Sequence, residues 1–265
     1  MDPRHSPMEP RWEAMLRGEH RLAHVHRIGR RAFGLVPSPW RCKFCNAPFR
    51  GPVADIVRWV GYTPSRKNPS ICARCIERAP EGGAVVPLTV LFADVRGYTA
   101  LSESLSPDEV PTVVMRFYSA ASSALLAHNG LLAQIAGDEV MALFVPGLAG
   151  GAYPSRAVDG ARSLLQAIGY GSHGGSWLNV GVGIATGEEY VGNVGGGGYK
   201  DFTALGDVTN TAARLTAAAA AGEILVDEAT FAQLGPSLLD AQPREFQPKG
   251  KNAPVAAYSI AAGST

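Results

Sequence analysis

The sequence predicts an α/β (α+β) protein, with helices on a mixed, mainly antiparallel sheet and a small cysteine-rich module in front. Three features carry that reading. Short apolar runs alternate with helix-periodic segments, and some are joined by glycine-containing pairs that mark hairpins. The four cysteines stand as two CxxC pairs in the first third of the 265 residues. The charge is split: residues 1–80 hold 15 Lys and Arg against 6 Asp and Glu, a balance of +9, and the remainder holds 9 against 17, or −8. A net charge of +1 therefore conceals two modules, and docking of one on the other is the cheapest use of the asymmetry. The hydrophobic share, 46%, is globular. No apolar run approaches the ~20 residues that span a bilayer, and no signal peptide is visible, so a cytoplasmic protein is expected.

Residues 1–34 read as a basic tail and helix. Three prolines fall in residues 1–10, and Arg11 to Phe33 then permits a helix, with Trp12, Met15, Leu16, Leu22, Val25 and Ile28 along one stripe. The stripe is modest and suits packing on the protein itself or on a dimer mate better than a membrane surface. His20 and His24 share a face, but no nearby carboxylate or thiol completes a metal set, and both read as solvated. Residues 35–80 form the cysteine module. Cys42 and Cys45 are separated by 26 residues from Cys72 and Cys75. Each pair can give two thiolates to one tetrahedral Zn²⁺, and together they close a Cys₄ shell with no position left for substrate. Two redox pairs, unpaired core cysteines or an iron–sulfur cluster are the alternatives. Stability rather than catalysis is the role expected of the site. Residues 81–86, with Gly82 and Gly83, read as a linker, and a second domain fills 87–262.

That domain opens on an apolar run, Pro87 to Ala93, of the length of a buried strand, ending in Asp94. A helical turn at Leu101 to Leu105 follows. Ser106-Pro107-Asp108-Glu109 then supplies a cap, a Pro at the first helical position and acids in the first turn of a helix that closes at Asn129-Gly130. Leu131 to Ala136 and Val140 to Val145 flank Gly137-Asp138, a hairpin with a II′-like turn. If the first strand lies beside this hairpin, Asp94 and Asp138 emerge at one edge of the sheet. Two such carboxylates can hold a pair of Mg²⁺ or Mn²⁺ ions against a phosphoryl group. The bland alternative is a strand end and an ordinary turn aspartate.

Ser155 to Ile168 is a second long helix and Trp177 to Ala185 a third main strand. Thr186-Gly187-Glu188 reads as a turn into a hairpin at Tyr190 to Val194, and Gly195 to Gly198 as an irregular loop. Phe202 to Leu205 is extended. Gly206-Asp207 starts a helix over Val208 to Ala221 that Gly222 ends. Asn210 and Arg214, four apart, share one of its faces. Ile224 to Val226, Glu228 to Leu234 and Val255 to Ile260 complete a strand, a helix and a strand, with Lys249 and Lys251 in the preceding loop.

Five stretches, FADVRGYTALSE, GDEVMALF, VGIATGEEYVGNVG, DFTALGDVTNTAARL and PKGKNAPVAAYSI, resemble in order the motifs of the class III nucleotidyl cyclase catalytic domain, over about Val86 to Ile260. The cysteine module lies outside the resemblance. The resemblance implies a ferredoxin-like domain working as a head-to-tail homodimer, with active sites at the interface. It makes Asp94 and Asp138 the metal-binding aspartates for two Mg²⁺ or Mn²⁺ ions, with the Val95 carbonyl a further ligand. Asn210 resembles the ribose-orienting residue, Arg214 the residue on the pentavalent α-phosphate, and Lys249 or Lys251 the lysine on the terminal phosphates. The implied reaction converts a nucleoside triphosphate to its 3′,5′-cyclic nucleotide and pyrophosphate, for intracellular signalling. Arg suits charge building on equatorial oxygens because its fork donates twice.

The base pocket departs from the family pattern. Gln134 stands where adenylyl-type members carry Lys and guanylyl-type members tend to carry Glu. Thr203 resembles the partner residue of many bacterial adenylyl cyclases and leans the reading to ATP. Glutamine donates and accepts, so it enforces neither purine, and guanylate or pyrimidine cyclisation are the alternatives. A catalytically silent nucleotide sensor is a further alternative, against which all four of Asp94, Asp138, Asn210 and Arg214 argue. No base-reading helix is evident in the basic module, and nucleic acid is not expected as a partner.

Overall fold

In the computed structural model the described residues are 9–19, 31–196, 198–234, 241–246 and 255–261. They fall into two compact units. One comprises Met1–Pro87, Val145–Gly151 and Glu188–Leu205; the other comprises Leu88–Phe144, Ala152–Gly187 and Gly206–Thr265. The expected 81–86 linker is a correction: β1 runs from Gly82 to Val95, and Ala84 and Val86 inside it are buried.

The second unit is built around a βαββαβ order. After β1 come α3 (Tyr98–Ser104), α4 (Glu109–Ala127), β2 (Leu131–Ala136), β3 (Glu139–Phe144), α6 (Tyr153–Ile168) and β4 (Val180–Gly196). The sheet order is β2-β3-β1-β4-β6-β8-β7, where β6 is Glu223–Asp227, β7 Gln242–Phe246 and β8 Val255–Ala261, with β5 (Tyr199–Leu205) paired to β4. The first four positions are those of the ferredoxin-like arrangement. Two long apolar-faced helices can cover this sheet only by packing side by side, and α4 and α6 do so. Phe117, Ala121 and Leu125 of α4 and Ala157, Ala161, Leu164 and Leu165 of α6 are buried there. Among the described residues α4 is the one helix long and apolar enough to cross a membrane, and here it packs against α6, β2 and β3.

The chain then adds α7 (Asp207–Ala218), β6 (Glu223–Asp227), α8 (Glu228–Leu234), β7 (Gln242–Phe246) and β8 (Val255–Ala261). The β4–β6 pair is parallel, whereas β1–β3, β2–β3, β4–β5, β6–β8 and β7–β8 are antiparallel. Helix α7 closes three residues short of the expected Ala221, because Ala219 turns extended and Gly222 takes φ 79° with its N–H on Val180. Gly183 of β4 lies so close to Ala212 and Thr216 of α7 that any Cβ would overlap their backbone. That close seat fixes the helix carrying Asn210 and Arg214.

The turn expected at 186–188 is absent: β4 continues straight through it for 17 residues. Thr186 is held inside the second unit, its N–H on the Asp227 carboxylate at 3.3 Å and its hydroxyl 2.7 Å from those of Thr89 and Thr230. Gly195 and Gly196 belong to the β4–β5 ladder, opposite Lys200 and Tyr199, and are not an irregular loop.

The first unit contains α1 (Glu9–Arg17), the cysteine module with α2 (Ala54–Trp59), the β4–β5 hairpin and the short α5 (Pro146–Ala149). Of the helix expected to Phe33, α1 ends at Arg17, where Gly18 adopts φ 80°, and Arg31 to Gly34 are again helical. His20, His24, Leu22, Val25 and Ile28 lie outside the described residues. Trp12, Met15 and Leu16 are buried, and Trp12 stacks on Phe202 of β5 with centroids 6.0 Å apart. Helix α1 therefore packs on its own protein. Basic residues of the front piece meet acids of the hairpin: Lys67 pairs with Asp201 at 2.9 Å and Arg17 with Glu188 at 3.3 Å. Buried Asn193 donates from Nδ2 to the carbonyls of Ile76 (2.7 Å) and Ala79 (2.8 Å), which tie the cysteine module to β4.

Candidate active site and cysteine cluster

Strand register brings the two aspartates to one end of the sheet. Antiparallel pairing sets Asp94, at the end of β1, opposite Glu139, at the start of β3. The Val95 N–H donates to the Asp138 carbonyl at 3.1 Å, which fastens the β1 end to the Gly137-Asp138 turn. Gly137 takes φ 60° while Asp138 stays at negative φ, the signs of the expected II′ turn. The Tyr118 hydroxyl of α4 holds the same turn from outside, donating to the Gly137 carbonyl at 2.6 Å. Burial pushes the Glu139 carboxyl above its usual range, the charge of Asp138 adding to it against Arg96.

Arg96 was not anticipated. Its guanidinium pairs with the Asp94 carboxylate and also reaches α7, with Nη1 at 3.1 Å from the Thr216 carbonyl and 3.4 Å from that of Ala217. Burial lowers its pKa, opposed by the charges of Asp138 and Glu139. Adjacency to Asp94 was visible in the sequence, but the α7 partners lie 120 residues away.

The remaining candidates are dispersed. Asn210 is exposed and Arg214 half-buried on α7, one turn apart. Gln134 is exposed on β2 just after a bulge, where the register skips Ala133 and restarts at Gln134 opposite Met141. Bulges re-aim side chains at strand ends, and Gln134, Ile135 and Ala136 after this one are all exposed. Thr203 is half-buried on β5 opposite Gly192 and belongs to the first unit. Lys249 and Lys251 lie outside the described residues.

The cysteine cluster does converge. Cys42, Cys45, Cys72 and Cys75 are all buried, and their sulfurs lie within 4.8 Å of one another. Sγ to Sγ is 3.6 Å for Cys45–Cys72 and 4.0 Å for Cys42–Cys75. A tetrahedron with Zn–S bonds of ~2.3 Å has edges of about 3.8 Å, so the four sulfurs fit that ion. The module's hydrogen bonds orient them: the Cys45 and Cys72 N–H groups point at the Cys42 sulfur, and the Lys43 N–H bonds the Ser70 carbonyl at 2.8 Å. Hydrogen bonds from Cys45, Cys72 and Cys75 pull the Cys42 thiol down, while those from Cys42 push the Cys45 and Cys75 thiols up. Four buried sulfurs converging at these distances are a set that a divalent cation would complete.

The fold and the ordered motifs define a class of protein, the nucleotidyl cyclases. The profile of the family "Adenylate and Guanylate cyclase catalytic domain" matches residues 84–261, and the chain belongs to that family. An adenylate cyclase of Anabaena cylindrica is 30% identical over 163 residues, 58% of this chain and 32% of that protein. Adenylate cyclase 1 of Rhizobium meliloti (strain 1021) is 30% identical over 133 residues, 48% of this chain and 20% of that one. The chain thus spans a third or less of the length of these two relatives. Among solved structures, the guanylyl cyclase Cya2 aligns at TM-score 0.61 and 28% identity, over 68% of this chain and 93% of its own. The adenylyl cyclase CyaB from P. aeruginosa aligns at 0.56 and 28%, over 66% and 93%.

Proposed function

We propose that the chain is a metal-dependent homodimeric nucleotidyl cyclase that makes a 3′,5′-cyclic nucleotide and pyrophosphate, with ATP the favoured substrate. The observation that carries the reading is the β1–β3 register, with the Val95–Asp138 bond, which sets Asp94 and Asp138 at one strand end in a chain of this family. Asp94, Asp138 and the Val95 carbonyl would hold two Mg²⁺ or Mn²⁺ ions, whose chemistry is to acidify the ribose 3′-hydroxyl and bind the leaving phosphates. In the reaction the 3′-oxygen attacks the α-phosphorus in line and the bond to pyrophosphate breaks.

Arg214 donates two parallel hydrogen bonds to the equatorial oxygens, where charge builds, and Asn210 orients the ribose. Both sit on an outward part of α7, which suits a site completed by a second protomer: Asn210 and Arg214 from one, Asp94 and Asp138 from the other. Gln134 and Thr203 contact the base, and Lys249 or Lys251 the terminal phosphates. The Cys₄ set holds a structural Zn²⁺ that stabilises the front module. The test is turnover of purified protein with Mn²⁺ and each of ATP, GTP, CTP and UTP, read by mass spectrometry. A cyclic nucleotide from ATP above the others supports the reading. Absence of any cyclic product with all four removes the enzymatic claim.

A further inference from the structure

Arg96 joins two parts of the chain that the proposed chemistry keeps apart. One edge of its guanidinium rests on the Asp94 carboxylate, and Nε lies 3.4 Å from the Asp94 carbonyl. Nη1 meets the last-turn carbonyls of α7, Thr216 and Ala217, where the helix dipole is negative. The Arg96 N–H is itself anchored on the Asn179 carbonyl at 2.8 Å, so the backbone beneath the side chain is fixed. The planar, permanently charged fork can serve both acceptors at once, which a lysine ammonium on a flexible stem does less well.

We propose that Arg96 is a positioning residue, a built-in cation that stands in for a divalent ion at Asp94 and reports metal occupancy to α7. The inference rests on Asp94 being a metal ligand. A divalent cation arriving on the Asp94 carboxylate faces a positive charge already seated there. The guanidinium must yield the carboxylate oxygen, and its donors are then left to the Thr216 and Ala217 carbonyls or to solvent. The contact that Arg96 makes with the last turn of α7 is thereby tightened or lost, and α7 carries Asn210 and Arg214. In a head-to-tail dimer those two residues serve the other site, so Arg96 would link the two sites through one protomer.

The test uses the zinc-loaded full chain and Mn²⁺, titrated by electron paramagnetic resonance. Arg96→Gln keeps a donor for the α7 carbonyls and removes the charge, and it should bind Mn²⁺ about three- to ten-fold tighter, the scale of a half-exposed charged contact. Arg96→Lys keeps the charge and should stay near wild type. A purely structural role predicts the opposite sign, looser binding in both. Asp94→Asn separates the premises: if it leaves Mn²⁺ affinity intact, the metal reading itself fails. If it weakens binding while Arg96→Gln does not tighten it, the Arg96 inference fails alone. In wild type, Mn²⁺ should alter amide exchange in residues 215–220; unchanged exchange there overturns the link to α7 without recourse to any variant.

Discussion

Asn193, a residue only 2% exposed to solvent, ties the cysteine module to β4 within the first unit. Its amide donates both protons to carbonyls of the cysteine module, and those of Ile76 and Ala79 belong to residues at most 4% exposed. Asn193→Ala deletes two neutral hydrogen bonds; the Ile76 carbonyl retains the Ala79 N–H at 3.1 Å and the Ala79 carbonyl retains Lys200. Two net bonds sum to about 1–3 kcal/mol. For a domain of this size that lowers the melting temperature by roughly 2–12 °C. Asn193→Asp should cost more than Ala, since a carboxylate would face two carbonyl oxygens with no donor between them. Thermal unfolding of the zinc-loaded variants, followed by circular dichroism, reads both numbers. A melting point within about 1 °C of wild type for Ala, or a milder Asp variant, would refute the tie between module and hairpin.

Elemental analysis should find one zinc per chain, and Cys72→Ser should lose it and melt earlier; retention of full zinc by that variant contradicts the Cys₄ assignment. Gln134→Lys should raise the ATP-to-GTP ratio of kcat/KM and Gln134→Glu lower it, each by about 5- to 100-fold, the scale of one polar contact to the bound base. Ratios that stay fixed would remove Gln134 from the base pocket. Burial raises the Glu223 carboxyl, but the Ala220 N–H, the Ser259 hydroxyl and Arg244 prevail and hold it below its ordinary 4.5. A depressed carboxylate stabilises above its ordinary value, and the contribution fades as pH falls through the folded value. Glu223→Gln should therefore cost about 1–2 kcal/mol at neutral pH in urea unfolding, and the gap should close as the pH falls from 4.5 through the lower folded value. A gap independent of pH would contradict the assignment.

Much of this architecture could be read from the chain because its signals are local. The β2–β3 hairpin follows from two apolar runs around Gly137-Asp138, and α8 from its own periodicity, to the residue. What failed was set by distant partners. Gly82 and Gly83 read as a linker, yet Gly83 is where β1 passes too close to Val191 for any side chain. Thr186-Gly187-Glu188 has turn composition, but Asp227, 41 residues on, holds it extended. Strand β7 was missed because Pro243 argues against a strand, and it is tolerated there at the sheet edge. The cysteine cluster was fully foreseeable, since CxxC spacing fixes each pair and a shared ion is the cheapest way to join them. Asp94 and Asp138 were foreseeable as neighbours through strand order, whereas Arg96 gains its meaning only from carbonyls on α7.

Mixing two dead variants examines the shared-site account most directly. Asp94→Ala and Arg214→Ala proteins, each inactive alone, should regain activity when combined under conditions of subunit exchange, toward about a quarter of wild type if exchange is random and only doubly intact sites turn over. That result requires acids from one protomer and the guanidinium from the other in a single working site. Proven exchange with no recovery of cyclic nucleotide would contradict it.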